Sequence, residues 1–101
     1  MTALQILVGL TIGSIEKIHD YVQIIFSDGT TLTIFNNFVF DFGRHSVIEG
    51  VEIKSVDESA TALTIFFESE ASLSIGLNAD DYNGPEAMVL RREDTPAVVW
   101  N

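Results

Sequence analysis

The chain has 101 residues, 47% of them hydrophobic, and contains no cysteine. A chain of this length predicts a single domain over residues 1–101, with one core and neither disulfides nor Cys-based metal sites. Fifteen acidic residues against five basic ones give a net charge of −10. This charge argues against nucleic acid and anionic membranes as partners, because binding to phosphate needs Lys and Arg. Cationic proteins are the natural counterpart.

The negative charge is concentrated in one part of the sequence. Residues 1–56 carry −3, whereas residues 87–101 are balanced. Residues 57–86 carry −7, because they contain no base and seven acids, namely Asp57, Glu58, Glu68, Glu70, Asp80, Asp81 and Glu86. This density predicts an acidic surface that attracts a basic partner.

The N-terminal stretch is apolar but lacks the features of a targeting segment. No basic residue precedes Lys17, whereas a secretory signal places positive charge ahead of its apolar stretch. Gln5, Gly9, Thr11 and Gly13 interrupt the apolar run well short of a membrane span. The sequence therefore predicts a cytoplasmic protein without a membrane segment.

Apolar and polar residues alternate with the period of β-strands through most of the chain. In YVQIIFSDGTTLTIF (21–35), two β-branched and aromatic runs flank Asp28-Gly29, a pair that favours a tight hairpin turn with positive φ at both residues. Further strand candidates are VIEGVEIKSV (47–56), ALTIFFES (62–69), SLSIGL (72–77), EAMVLRR (86–92) and AVVW (97–100). The prediction is an all-β fold, an antiparallel meander of about eight short strands forming a sandwich or partly open barrel. At most one short helical turn is expected, near residues 78–82, with Asn78 as its cap.

The chain also shows a possible internal repeat. FSDGTTLTI (26–34) resembles FESEASLSI (67–75) at an offset of 41 residues, and upstream IEKIHD (15–20) parallels IKSVDE (53–58). Two explanations stay open: a duplication of residues 15–34 as 53–75, or the similarity that any two amphipathic hairpins share.

No catalytic or metal-binding signature emerges. Asp41, Arg44 and His45 in FDFGRH (40–45) form the one mixed titratable group, and the favoured interpretation is a turn with Gly43 at positive φ. No phosphate loop, nucleophile elbow or dinucleotide motif occurs, so we expect no enzyme activity and no cofactor. NADDYNG (78–84) departs from the calcium-loop pattern at its fifth, sixth and twelfth positions, so no metal site is expected.

The aromatic residues support two further hypotheses. Phe66 and Phe67 are adjacent, so in a strand they face opposite ways and one of them is expected on the surface. The wider aromatic set could line a ligand cavity in a small β-barrel, which is the alternative function, although core filling is the favoured interpretation. SLSIGL (72–77) lacks charge and could be an exposed edge strand that supports self-association.

The segment NADDYNGPEA (78–87) is the strongest candidate for a partner-binding surface. Tyr82 offers a large contact area with few rotatable bonds, and Asp80 and Asp81 can meet Lys or Arg across an interface. The Gly84-Pro85 pair would stiffen the segment and lower the ordering cost of binding. The complete predicted partner-binding set is Asp57, Glu58, Glu68, Glu70, Asp80, Asp81 and Tyr82.

With DYNGPEAMVLRRED (81–94) leading to VVWN (98–101), the chain resembles the small acidic β-rich immunity proteins of bacterial contact-dependent growth inhibition and polymorphic toxin systems. The resemblance lies in size, strand density and charge. It implies a cytoplasmic inhibitor that binds one cognate toxin domain, often a basic nuclease, and covers its active site. No residue transfers by a motif match, so the predicted site depends on the charge argument.

Overall fold

A computed structural model of the protein describes residues 3–18, 21–41, 50–92 and 95–100. These residues contain nine β-strands: β1 (Ile12–Ile18), β2 (Tyr21–Phe26), β3 (Thr31–Ile34), β4 (Phe38–Asp41), β5 (Ile53–Glu58), β6 (Ala62–Phe67), β7 (Ser72–Gly76), β8 (Met88–Arg92) and β9 (Thr95–Trp100). They form two antiparallel sheets, one in the order β1-β2-β3-β8-β9 and the other in the order β4-β7-β6-β5. The all-β prediction is confirmed.

Strict alternation of side chains places one face of each sheet in a shared core. In β2, Val22, Ile24 and Phe26 are buried while the intervening residues are half-buried. In β6, Leu63, Ile65 and Phe67 repeat this pattern from the opposite sheet. One hydrophobic cluster joins the inner faces of both sheets, and each large side chain within it contributes about 1.5–3 kcal/mol by leaving water.

Two short 3₁₀ helices complete the described structure. The first, Ala3–Leu7, buries Leu7 in the core, and Gln5 Nε2 donates a hydrogen bond to the Val56 carbonyl at 2.8 Å. The second, Ala79–Asp81, lies between β7 and β8, within the span where a helical turn was predicted, whereas the expectation of at most one such turn is wrong because Ala3–Leu7 forms another. No helix in the described ranges is long and apolar enough to cross a membrane.

The first three strands of the chain, β1–β3, are repeated at an offset of 41 residues by β5–β7, and β4 of the first half corresponds to β8 of the second. β1 and β5 each carry an irregularity at matching positions, between Ile12 and Ser14 and between Ile53 and Ser55. The halves exchange their last strands, since β4 pairs with β7 of the second half and β8 pairs with β3 of the first. The result is an approximate two-fold arrangement of the sheets.

Hydrogen bonds between the halves follow the same symmetry. Gly9 N–H donates to the Ile53 carbonyl at 2.9 Å, and its counterpart Gly50 N–H donates to the Ile12 carbonyl at 2.7 Å. An isolated bridge between Thr11 and Glu52, themselves counterparts, lies between these bonds. The contacts join the β1 edge of one sheet to the β5 edge of the other, so the sandwich is partly closed on that side.

The structure corrects three details of the sequence interpretation. The repeat pairs residues 12–17 with 53–58, so the upstream match to residues 15–20 was shifted by three. SLSIGL is wrong as an edge strand, because β7 lies between β4 and β6. The predicted FDFGRH turn begins later than expected, because residues 40 and 41 belong to β4, where Phe38 and Phe40 pack against the core; Phe42 and Gly43 lie outside the described residues.

The Asp28-Gly29 hairpin forms with a different turn. Only Gly29 has positive φ, at +94°, and its N–H donates to the Phe26 carbonyl at 3.0 Å. The Thr30 N–H donates to Asp28 Oδ1 at 2.8 Å, which ties the aspartate to the turn. A longer loop with a single left-handed residue therefore replaces the two-residue turn. Its counterpart between β6 and β7 places Glu70, a non-glycine residue, at φ +67°.

Candidate functional site

The two halves differ most in the connection that crosses between the sheets. In the first half, residues 35–37 join β3 to β4, whereas in the second half residues 77–87 join β7 to β8. We call residues 77–87 the insertion, and it contains the segment singled out by sequence. The end of the molecule where these connections lie is the loop end, and the opposite end, with the β2–β3 and β6–β7 turns, is the turn end.

The insertion begins with a 3₁₀ turn that the Asp81 carboxylate holds in place. Asn78 occupies the N-cap position with extended backbone, and its N–H donates to Asp81 Oδ2 at 3.2 Å. The same carboxylate lies against Gly76, where a Cβ atom would collide with it. Asp81 is half-buried as a consequence, and it acts as a structural brace as well as a charge.

Three asparagines fix the insertion, and the end of β7 that precedes it, to the shorter connection. Asn83 Nδ2 donates to the Phe35 carbonyl at 2.8 Å and to Asn37 Oδ1 at 3.2 Å. The Asn37 N–H donates to the Asp81 carbonyl at 2.8 Å. Asn36 Nδ2 donates to the Gly76 carbonyl at 2.8 Å. These bonds give the insertion a defined position without regular secondary structure.

A cleft of about 1020 Å³ lies at the loop end, on the side of the five-stranded sheet. The Tyr21 and Phe35 rings pack against each other there, with centroids 5.5 Å apart and planes tilted by 49°. The Asn36 Oδ1 atom is buried and has no hydrogen-bond partner among the described residues. The walls are formed by Lys17, Tyr21, residues 35–38 and residues 83–86.

The acidic segment of the sequence is divided between the two ends of the fold. Asp57, Glu58, Asp80 and Asp81 lie towards the loop end, because β5 ends there and β7 leads into the insertion. Glu68 and Glu70 lie in the β6–β7 turn, at the turn end. The five residues of β7 separate the two groups by about 17 Å. The seven predicted residues therefore do not form one surface.

The basic residues make the two ends unequal. Three of the four bases in the described residues, Lys54, Arg91 and Arg92, lie at the turn end with five carboxylates, a balance of −2. Lys17 faces six carboxylates towards the loop end, a balance of −5. The loop-end carboxylates are Glu16, Asp57, Glu58, Asp80, Asp81 and Glu86. The negative field of the described residues is therefore centred on the loop end.

The structure tests one aromatic prediction and locates the residue of another. Phe67 is buried and Phe66 is 37% exposed, so the expectation that one of the pair reaches the surface is confirmed. Tyr82, predicted as the anchor for a partner, is half-buried and packs against the core. Part of its ring therefore stabilises the insertion rather than standing free for contact.

Other candidate chemistry occupies different parts of the molecule. Asp41 lies at the end of β4, whereas Arg44 and His45 fall outside the described residues. Within the described ranges, no three His, Asp or Glu side chains are grouped closely enough to hold a metal ion. At the turn end, hydrogen bonds from the Thr30 backbone and hydroxyl and the nearby charge of Arg92 lower the pKa of Asp28.

The cleft contains residues that the sequence argument did not select. Lys17, Tyr21 and Asn36 are separated in sequence from residues 83–86 and share no motif spacing with them. Two consecutive asparagines, Asn36 and Asn37, are typical of a loop between strands. The local sequence does not indicate that this loop contacts Asn83. This grouping depends on the crossing of the chain between sheets.

No protein family, curated protein or solved structure matches this chain.

Proposed function

We propose that the protein is an immunity-type inhibitor, without catalytic activity, that binds a cationic toxin domain in the cytoplasm. The observation that carries this proposal is the charge balance of −5 towards the loop end, where Lys17 is the sole base among the described residues. A basic nuclease is the favoured target, since its active site binds a polyanion and an acidic surface can occupy that site in place of the substrate.

The mechanism begins with electrostatic steering. Glu58 and Asp80 are exposed, so their field reaches an approaching protein before contact. Steering of this kind raises association rate constants from about 10⁵–10⁶ to about 10⁸ M⁻¹s⁻¹ at low salt. The rate then falls with ionic strength, because the Debye length is only about 8 Å at physiological salt.

Short-range contacts then slow dissociation. The insertion is held by the Asn37, Asp81 and Asn83 bonds, so it loses little conformational freedom on binding. Glu68 and Glu70 lie about 17 Å away beside bases, and we assign them no part in this interface. The proposed contact set is therefore smaller than the set predicted from sequence.

The test uses two double variants with equal net charge. The Glu58→Gln/Asp80→Asn variant removes two charges at the loop end, and the Glu68→Gln/Glu70→Gln variant removes two at the turn end. Association is measured by stopped flow at 50 and 300 mM salt with a basic nuclease domain that the protein neutralises on co-expression. We expect the loop-end variant to bind about tenfold more slowly at low salt, with a flatter salt dependence, and the turn-end variant to change by less than about twofold. If both variants slowed association equally, net charge and not the loop end would control the rate. If neither variant changed the kinetics, acidic steering would have no part in the mechanism.

A further inference from the structure

The cleft at the loop end is unusual because one of its buried hydrogen-bond acceptors has no donor among the described residues. Each of its three asparagine side chains donates at least one hydrogen bond within the protein: Asn36 to Gly76, Asn83 to Phe35 and to Asn37, and Asn37 Nδ2 to the Asp80 carbonyl at 3.5 Å. The amide orientation of Asn36 is set by the Gly76 carbonyl, which only the nitrogen can bind. The oxygen is left as the unsatisfied atom.

This oxygen makes the site selective for a hydrogen-bond donor. Asn36 is only 1% exposed, and its Oδ1 has no hydrogen-bond partner among the described residues. A buried acceptor without a donor is unfavourable, so a ligand that supplies one is bound more tightly. Glu86 adds a half-buried carboxylate to the same walls. The cleft thus offers a buried amide oxygen and a carboxylate as hydrogen-bond acceptors.

Aromatic rings and the surrounding charge further restrict the chemical class of ligand that the cleft can bind. The half-buried Tyr21 and Phe35 rings line the cleft together with Phe38, and the face of an aromatic ring attracts cations. The loop end as a whole is negative, which disfavours phosphate and other anions. A planar guanidinium fits these groups best, because it donates several hydrogen bonds in one plane while stacking on a ring. A lysine ammonium is a more strongly hydrated point charge and stacks less well.

We propose that this cleft receives an arginine side chain of the cationic partner, with the guanidinium donating to Asn36 Oδ1 and Glu86 and lying against the Tyr21–Phe35 pair. The inference rests on the proposed function, since the arginine belongs to the protein that the acidic loop end attracts. Lys17 at the cleft wall is exposed and opposes a cationic ligand. Its removal therefore strengthens binding, whereas removal of the Glu86 charge weakens it.

The test is an amide NMR titration of the full chain with N-acetyl-arginine methylamide, compared with the lysine and citrulline derivatives. Citrulline has nearly the shape of arginine but no charge. We expect saturable shifts at residues 35–38 and 83–86, with the arginine derivative binding at least about fivefold more tightly than either analogue. Glu86→Gln is expected to weaken binding about fivefold and Lys17→Gln to strengthen it about twofold. Glu68→Gln, a matched charge removal at the turn end, is expected to leave it unchanged.

Several results would overturn the inference. The first is amide shifts that are equal for the arginine and lysine derivatives and occur near carboxylates all over the protein. The second is the absence of saturable shifts. The third is that a neutral sugar such as maltose, but not arginine, shifts the amides of residues 35–38 and 83–86. Each leaves the proposed function standing if the Glu58→Gln/Asp80→Asn variant still slows toxin association. Conversely, saturable arginine binding together with unchanged toxin kinetics supports the cleft and refutes the acidic steering.

Discussion

Replacing Gly76 by alanine tests the contact that holds the insertion. The added Cβ would occupy the space of the Asp81 carboxylate, so that side chain must rotate away and release the Asn78 N–H. Loss of a cap-type hydrogen bond costs about 1 kcal/mol, and crowding adds about another 1 kcal/mol. Reduced freedom of the unfolded chain returns about 0.5 kcal/mol, since Gly76 does not have positive φ. The expected net loss in the free energy of unfolding is about 1–1.5 kcal/mol.

Urea denaturation of a double-mutant cycle isolates the collision from other effects of the methyl group. In an Asp81→Ala background nothing remains to collide, so Gly76→Ala is expected to be neutral or to stabilise by about 0.5 kcal/mol. The matched control is Gly84→Ala in the same insertion, where a Cβ meets no atom within 4 Å and little change is expected. An equal cost of Gly76→Ala in both backgrounds would refute the reasoning, because the carboxylate would then not be the obstacle.

Two further predictions concern the turn end. Glu70→Gly is expected to stabilise the protein by about 0.5–1 kcal/mol in urea denaturation, because glycine adopts the left-handed backbone without strain. Gly29→Ala at the equivalent position is expected to destabilise it by about 1 kcal/mol for the same reason. If both substitutions changed the free energy of unfolding in the same direction, the strain argument would be contradicted. Because the folded-state pKa of Asp28 is lowered, its charge stabilises the protein above the unfolded pKa of about 3.9, and this contribution is lost as the pH falls through the folded value. Asp28→Asn keeps an oxygen for the Thr30 N–H but does not titrate, so thermal melts between pH 5 and pH 2 should show a smaller loss of stability than the unchanged protein shows. Identical pH profiles would show that Asp28 has no part in the acid dependence.

Local sequence patterns determined the strands and their faces. Alternation in YVQIIF was enough to place Val22, Ile24 and Phe26 inside, and adjacency was enough to separate Phe66 from Phe67. These inferences succeed because side chains of a strand alternate with a period of two wherever the strand is placed. The helical turn near residue 80 could also be predicted from the sequence, because Asn and Asp favour the first positions of a helical turn.

Only the tertiary structure decided which residues meet. A run of acids continuous in sequence was separated into two groups, because β5, β6 and β7 carry the chain back and forth between opposite ends. The exchange of β4 and β8 between sheets placed SLSIGL inside a sheet and brought Asn36 beside the insertion. Strand order and crossing connections arise from the joint packing of two sheets over one core, and that energy depends on contacts between residues far apart in sequence.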